Sequence, residues 1–234
     1  LEIDLKGILV IVGNYGSGKT EVAINLAVNR KNANLKVSIA DLDLVNPYFR
    51  TREAKGPLQA FGIKVVLPPE QYLQADLPIL SPAVAGVIRQ ANDVTILDVG
   101  GDDAGATVLA ALADALKGKK LEVLQVVNRF RPFTETVEGC LKIRTAIEKA
   151  AKIKVNGLIG NNNLLEETTV ADIHNGHQFM QALSKASALP LRFITVPAPL
   201  SPELDRAAYG CPVLTIRRQL VTPWLKARHL SEDF

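Results

Sequence analysis

Seven short runs of mostly aliphatic residues mark the chain: ILVIV at 8–12, VSIA at 37–40, IKVVL at 63–67, VTIL at 94–97, EVLQVV at 122–127, VNGLIG at 155–160 and FITV at 193–196. Their apolar residues are continuous rather than alternating, the pattern of strands covered on both faces. Helix-forming segments lie between most of them. Residues 19–31 gather Val22, Ala23, Leu26 and Ala27 on one face, and residues 134–151 gather Val137, Cys140, Ile143, Ile147 and Ala151 on another. Strand alternating with helix closes through right-handed crossovers, so an α/β fold is predicted: a single doubly wound, mostly parallel sheet with helices on both faces. With 234 residues and no internal repeat, low-complexity tract or linker, one domain over 1–234 is expected.

The bulk numbers exclude more than they select. Apolar residues make up 47% of the chain and charged ones 22%, the ordinary balance of a soluble globular protein. A net charge of +3 gives no strong nucleic-acid signal. Cys140 and Cys211 form no CxxC pair, which argues against a zinc ribbon or a redox dithiol and fits a reducing compartment. The opening LEIDLKG lacks the basic region and apolar core of a secretion signal, and no apolar run is long enough to span a bilayer. A cytoplasmic protein is expected, although the chain does not begin with Met and its native start is open.

The first apolar run leads straight into GNYGSGKT at 13–20, which satisfies G-x-x-x-x-G-K-[ST]. A preceding strand and a following helix are the context that gives this motif meaning. Gly13, Gly16 and Gly18 permit positive φ and bring the amides of Asn14, Tyr15 and Ser17 around a phosphate. The helix starting near Lys19 adds unpaired amides and a positive dipole end. Lys19 is expected to bridge β- and γ-phosphate oxygens, and Thr20 to offer its hydroxyl to Mg²⁺.

A phosphate loop needs carboxylates. ADLDLVNPYFR at 40–50 puts Asp41 and Asp43 after the second strand, and ILDVGG at 96–101 ends the fourth in Asp98, with Gly101 in a D-x-x-G arrangement. Acids at carboxyl ends of parallel strands face the crevice where α/β ligands bind. Asp102 and Asp103 read instead as caps of the helix that follows.

Phosphate loop, D-x-D and D-x-x-G in this order resemble the MinD/ParA/CobQ group of P-loop NTPases, within the SIMIBI class. NGLIGNN at 156–162 resembles the group's penultimate-strand motif and VPAPLSPEL at 196–204 its last-strand proline turn. The resemblance implies a Mg²⁺-dependent ATPase. Asp41 and Asp98 would help hold the metal shell, Asp43 would position the attacking water, and the Gly101 amide would sense the γ-phosphate. Asn161 and Pro197 would lie at adenine. A protein partner or a homodimer is implied as well. Where these relatives carry a second lysine, after the loop's first glycine, this chain has Asn14; Arg50 and Arg52 are candidate replacements, since guanidinium suits planar contact with phosphate. CobB and dethiobiotin synthetase resemble the same group and transfer a γ-phosphoryl group to a small carboxylate, so that function stays open beside the ATPase switch, as does nucleotide binding without turnover.

A guanine-specifying N-K-x-D has no full counterpart: NRFR at 128–131 supplies Asn and a basic residue but no aspartate, which leans towards ATP. His174 and His177, separated by Asn-Gly, read as surface histidines around a turn, and Cys140 as core. The tail at 215–234 sets Ile216, Leu220, Trp224 and Leu225 among basic residues. A basic amphipathic helix docking on membrane has this pattern, and so does a terminal helix packed on the sheet; Pro223 interrupts either. Tyr48 and Phe49, beside Arg50, could read a partner or pack in the core.

Overall fold

The computed structural model describes residues 1–43, 51–67, 82–101 and 103–220. Eight strands form one all-parallel sheet: β1 (Gly7–Gly13), β2 (Val37–Leu42), β3 (Lys64–Val66), β4 (Val94–Val99), β5 (Leu121–Val127), β6 (Gly157–Gly160), β7 (Leu191–Pro197) and β8 (Val213–Ile216). They lie in the order β3-β2-β4-β1-β5-β6-β7-β8. The central strand β1 therefore pairs with β4 on one side and β5 on the other.

Continuous apolar runs follow from this placement. Ile8, Val10 and Val12 of β1 face one layer while Leu9 and Ile11 face the other, and all five are buried. Leu9 and Ile11 meet α1 (Lys19–Asn32) through Val22, Leu26 and their neighbours, with Leu58 of α2 (Lys55–Ala60) in the same cluster. The opposite layer is built from α3 (Pro82–Arg89), α4 (Asp103–Ala111), α5 (Ala113–Leu116) and α6 (Val137–Ala151). Among the described residues the last α-helix, α7 (Val170–Ser187), continues that layer by setting Met180 and Leu183 against Leu158 and Cys140. Burying each such aliphatic side chain is worth about 1.5–3 kcal/mol relative to leaving it in water.

Three sequence expectations change. Val213–Ile216 is an eighth strand, so Ile216 belongs to the sheet rather than to a tail helix. Leu220 is buried in the central cluster, and Trp224 and Leu225 lie outside the described residues. Secondly, Asn175 and Gly176 sit inside α7 instead of forming a turn. Gly176 is there for contact: a Cβ on it would stand 2.5 Å from the Asn162 Cβ, so only glycine lets α7 approach the loop after β6. Thirdly, His177 is buried rather than on the surface, and both histidines pack on Tyr209, with His174 Nδ1 and the Tyr209 hydroxyl 3.2 Å apart. Among the described residues no helix is long and apolar enough to cross a membrane.

Candidate functional site

All the early motifs meet at the carboxyl edge of the sheet. The loop between β1 and α1 turns through Gly16 at φ 69 and Gly18 at φ 84. Gly18 is the N-cap of α1 and supplies no side-chain hydrogen bond, whereas Thr136 caps α6 and Thr169 caps α7. The first amides of α1 are thus left for an anion, which the helix dipole favours. Gly13 is forced by contact, since a Cβ there would stand 2.5 Å from the Val126 carbonyl oxygen.

Lys19 is buried, and its Nζ donates to the Asn14 carbonyl oxygen at 3.1 Å. Gly101 closes over it: a Cβ on Gly101 would lie 2.6 Å from Lys19 Nζ and 2.9 Å from the Tyr15 amide nitrogen. The D-x-x-G glycine therefore lies against the loop at 13–20.

Asp41 and Asp98 are register partners on adjacent strands, both fully buried. Asp98 Oδ2 accepts from the Thr51 hydroxyl at 2.9 Å, and its carboxyl also meets the Thr20 side chain. Burial, with the Asp41 charge adding to it, pushes the Asp98 carboxyl up to about 7. Asp98 Oδ1 is buried without a hydrogen-bond partner. Such an acceptor beside a threonine hydroxyl and a second carboxylate suits a divalent cation that takes one or two carboxylates and completes its shell with phosphate oxygens. The residues present fit Mg²⁺. Among the described residues no group of three or more His, Cys, Asp or Glu could hold a metal by protein ligands alone.

Asp43 lies just past β2, buried, with its amide donating to Asp41 Oδ1 at 3.0 Å. Arg52 approaches Asp41 Oδ2 with its Nε at 3.5 Å, and its buried Nη2 has no partner. Arg50, Tyr48 and Phe49 fall outside the described residues, as does Asp102. Asn14 is engaged within the chain: its Nδ2 donates to the Pro132 carbonyl oxygen at 2.7 Å.

Asn161 has a further use that sequence alone did not suggest. Its Nδ2 donates to the Ser17 carbonyl oxygen at 2.7 Å, and its Oδ1 accepts from the Thr195 hydroxyl at 2.6 Å. A Cβ on Gly18 would collide with that same Nδ2. Asn161 is thus a strut beneath the loop. Pro197 ends β7, half-buried, two residues beyond Thr195.

Two features escaped the sequence reading. Glu21, in the first turn of α1, accepts from the backbone amides of Gln219 at 2.8 Å and Leu220 at 3.0 Å. Asn25, one turn on, accepts from the Arg217 amide at 2.8 Å. The phosphate-loop helix is clasped to the segment after β8, and burial, partly offset by those amides, pushes Glu21 up to about 7. The second is Arg131, whose Cδ and Nε would lie 3.7 and 3.8 Å from a Cβ on Gly16. No spacing rule pointed to either, because both contacts join segments far apart in sequence.

No family model matches the chain, and no curated protein matches it. Solved structures do. The cell division protein FtsY of Thermotoga maritima is similar at 21% identity and a TM-score of 0.58, covering 83% of this chain and 63% of that one. Chloroplast FtsY of Physcomitrella patens is similar at 22% identity and a TM-score of 0.56, covering 83% and 60%. The 54 kDa signal recognition particle protein of Aeropyrum pernix, solved in complex with GDP, follows at 16% identity and a TM-score of 0.53, covering 82% and 42%. The chain spans less than two thirds of the length of each. What is shared is the fold, that of the P-loop NTPases.

Proposed function

We propose that this chain is a Mg²⁺-dependent ATPase of the MinD/ParA type, in which bound ATP reshapes the segments after β2 and β4 for a partner protein or a second copy to read. One observation carries the reading: Lys19, Gly101 and the Thr20–Asp98 pair converge on one uncapped helix N-terminus. Loop amides bind the phosphates, and Lys19 exchanges the Asn14 carbonyl for phosphate oxygens. Thr20 and Asp98 would hold Mg²⁺, with Asp41 behind them. When bound, the ion spreads positive charge over the phosphate oxygens. Asp43, its backbone fixed by Asp41, orients the water that attacks.

Support for ATP over GTP comes from NRFR. The fourth position of a guanine-reading N-K-x-D needs a carboxylate to accept from the base, and Arg131 offers only donors. The structural neighbour bound to GDP makes GTP the competitor to test. A second reading, phosphoryl transfer to a small carboxylate, is favoured by Asn14, which holds Pro132 where a MinD/ParA protein presents a lysine.

The test is calorimetric titration of MgATP and MgGTP into wild-type protein and Lys19→Ala, followed by phosphate release across about two decades of protein concentration. The proposal expects ATP to bind more tightly than GTP, binding to vanish in the variant, and specific activity to rise with concentration or with a partner. Unchanged affinity in Lys19→Ala would sink the phosphate-loop assignment. Turnover that appears only with an added carboxylate would favour the second reading.

A further inference from the structure

Arg131 lies on the turn after β5, and that turn is built to hold one shape. Its own amide donates to the Asn128 carbonyl at 3.2 Å, and its carbonyl accepts from the Thr134 amide at 3.1 Å and the Thr134 hydroxyl at 3.0 Å. The same hydroxyl also reaches the Asn128 carbonyl at 2.7 Å, and Asn128 Oδ1 accepts from the Phe130 amide at 3.1 Å. Asn128 and Thr134 are each 1% exposed. Phe133 closes the turn at φ 70, a conformation costly for a bulky residue and kept only where neighbours enforce it. The turn is then fastened to the phosphate loop by the Asn14–Pro132 hydrogen bond.

This scaffold lays the Arg131 side chain across the loop's apex at Gly16. Its Nε is buried there without a hydrogen-bond partner, and among the described residues no carboxylate pairs with its guanidinium. A buried guanidinium donor left unsatisfied costs free energy, which an anion held by the adjacent loop amides would return. Gly16 itself adds no side chain to screen the two.

We propose that Arg131 is a second phosphate-binding cation of the site, supplied from within the chain by the β5 turn and acting alongside Lys19. This rests on the reading of residues 13–20 as a phosphate loop. It gives Asn14 a purpose as well: the side chain that replaces a lysine anchors the turn that delivers an arginine.

The experiment measures affinity of wild type, Arg131→Ala and Arg131→Lys for MgATP, MgADP, adenosine and Mg-tripolyphosphate by calorimetry, at low and moderate salt. Thermal melting of each ligand-free protein accompanies it. Loss of a charge-assisted contact should weaken MgATP and tripolyphosphate about tenfold to hundredfold in Arg131→Ala. Arg131→Lys should recover part of that, adenosine should not respond, and added salt should shrink the difference. Melting temperatures of the ligand-free proteins should agree. Equal affinities for the phosphate ligands across the three proteins would overturn the proposal. So would a loss of equal size for adenosine and ATP, or one accompanied by a fall in melting temperature, since both mark a brace rather than a phosphate ligand. Wild type that binds tripolyphosphate through Arg131 but prefers no nucleotide would overturn the ATPase reading and uphold this one.

Discussion

Replacing Asn161 by alanine separates two roles that one residue could hold, a contact to the base and a support for the phosphate loop. The substitution removes the donor to the Ser17 carbonyl and the acceptor of the Thr195 hydroxyl, bonds of 2.7 and 2.6 Å. Ser17 is 0% and Thr195 3% exposed, so water does not readily replace the lost partners. Each buried group left unsatisfied costs about 1–3 kcal/mol, so Asn161→Ala should lose roughly 2–6 kcal/mol. For a chain of this size that is a fall in melting temperature of about 4–24 °C. Thr195→Val keeps the shape and removes one donor, and should cost about half as much. Urea denaturation of ligand-free protein measures both, and titration with MgATP, MgGTP and tripolyphosphate should show all three weakened by a similar factor. An unchanged urea midpoint, with a loss confined to ATP, would refute the strut and return Asn161 to the base.

Gly101→Ala places a methyl group against Lys19 Nζ and the Tyr15 amide, so nucleotide affinity should fall at least tenfold; calorimetry showing wild-type affinity would remove Gly101 from the site. Asp43→Ala should bind MgATP normally and release no phosphate, and full turnover would exclude Asp43 from the chemistry. The clasp and the buried Asp98 make ligand-free stability depend on pH. Glu21 and Asp98 both titrate near 7 in the folded chain, against ordinary values of 4.5 and 3.8. Between those limits the folded state holds protons that the unfolded state has released, so stability falls as pH rises from about 5 to about 7 and levels off above about 8. Urea midpoints that rise across this range would contradict the assignment.

The sheet was legible because a strand buried on both faces writes itself as a continuous apolar run; seven of eight strands carry one. Val213–Ile216 did not stand out, since only Leu214 of the four is buried and the run leads into Arg217 and Arg218, resembling a basic tail. Asn175-Gly176 misled for the opposite reason. A turn dipeptide appeared where the packing of Asn162 on α7 demanded the absence of a side chain. That the loop, Asp41, Asp98 and Gly101 lie together was legible, because each ends or follows a strand on one edge of the sheet. Asn161 was found by resemblance, but its hydrogen bonds to residues 144 and 34 positions away are tertiary facts. Arg131 and Glu21 are of the same kind.

The strand order also dictates a schedule for assembly. β1 and the phosphate loop are made before the strands that flank them, since β4 and β5 are complete only when residue 127 has been added. The brace from Asn161 and its Thr195 support come later still, and the clasp on Glu21 waits for residues 219 and 220. Until those residues have been added the loop is an unbraced glycine-rich segment, since distant pairings form only after the intervening chain exists. Nucleotide offered to nascent chains of increasing length should therefore leave those that end before residue 220 unchanged and protect only those in which all three supports have closed.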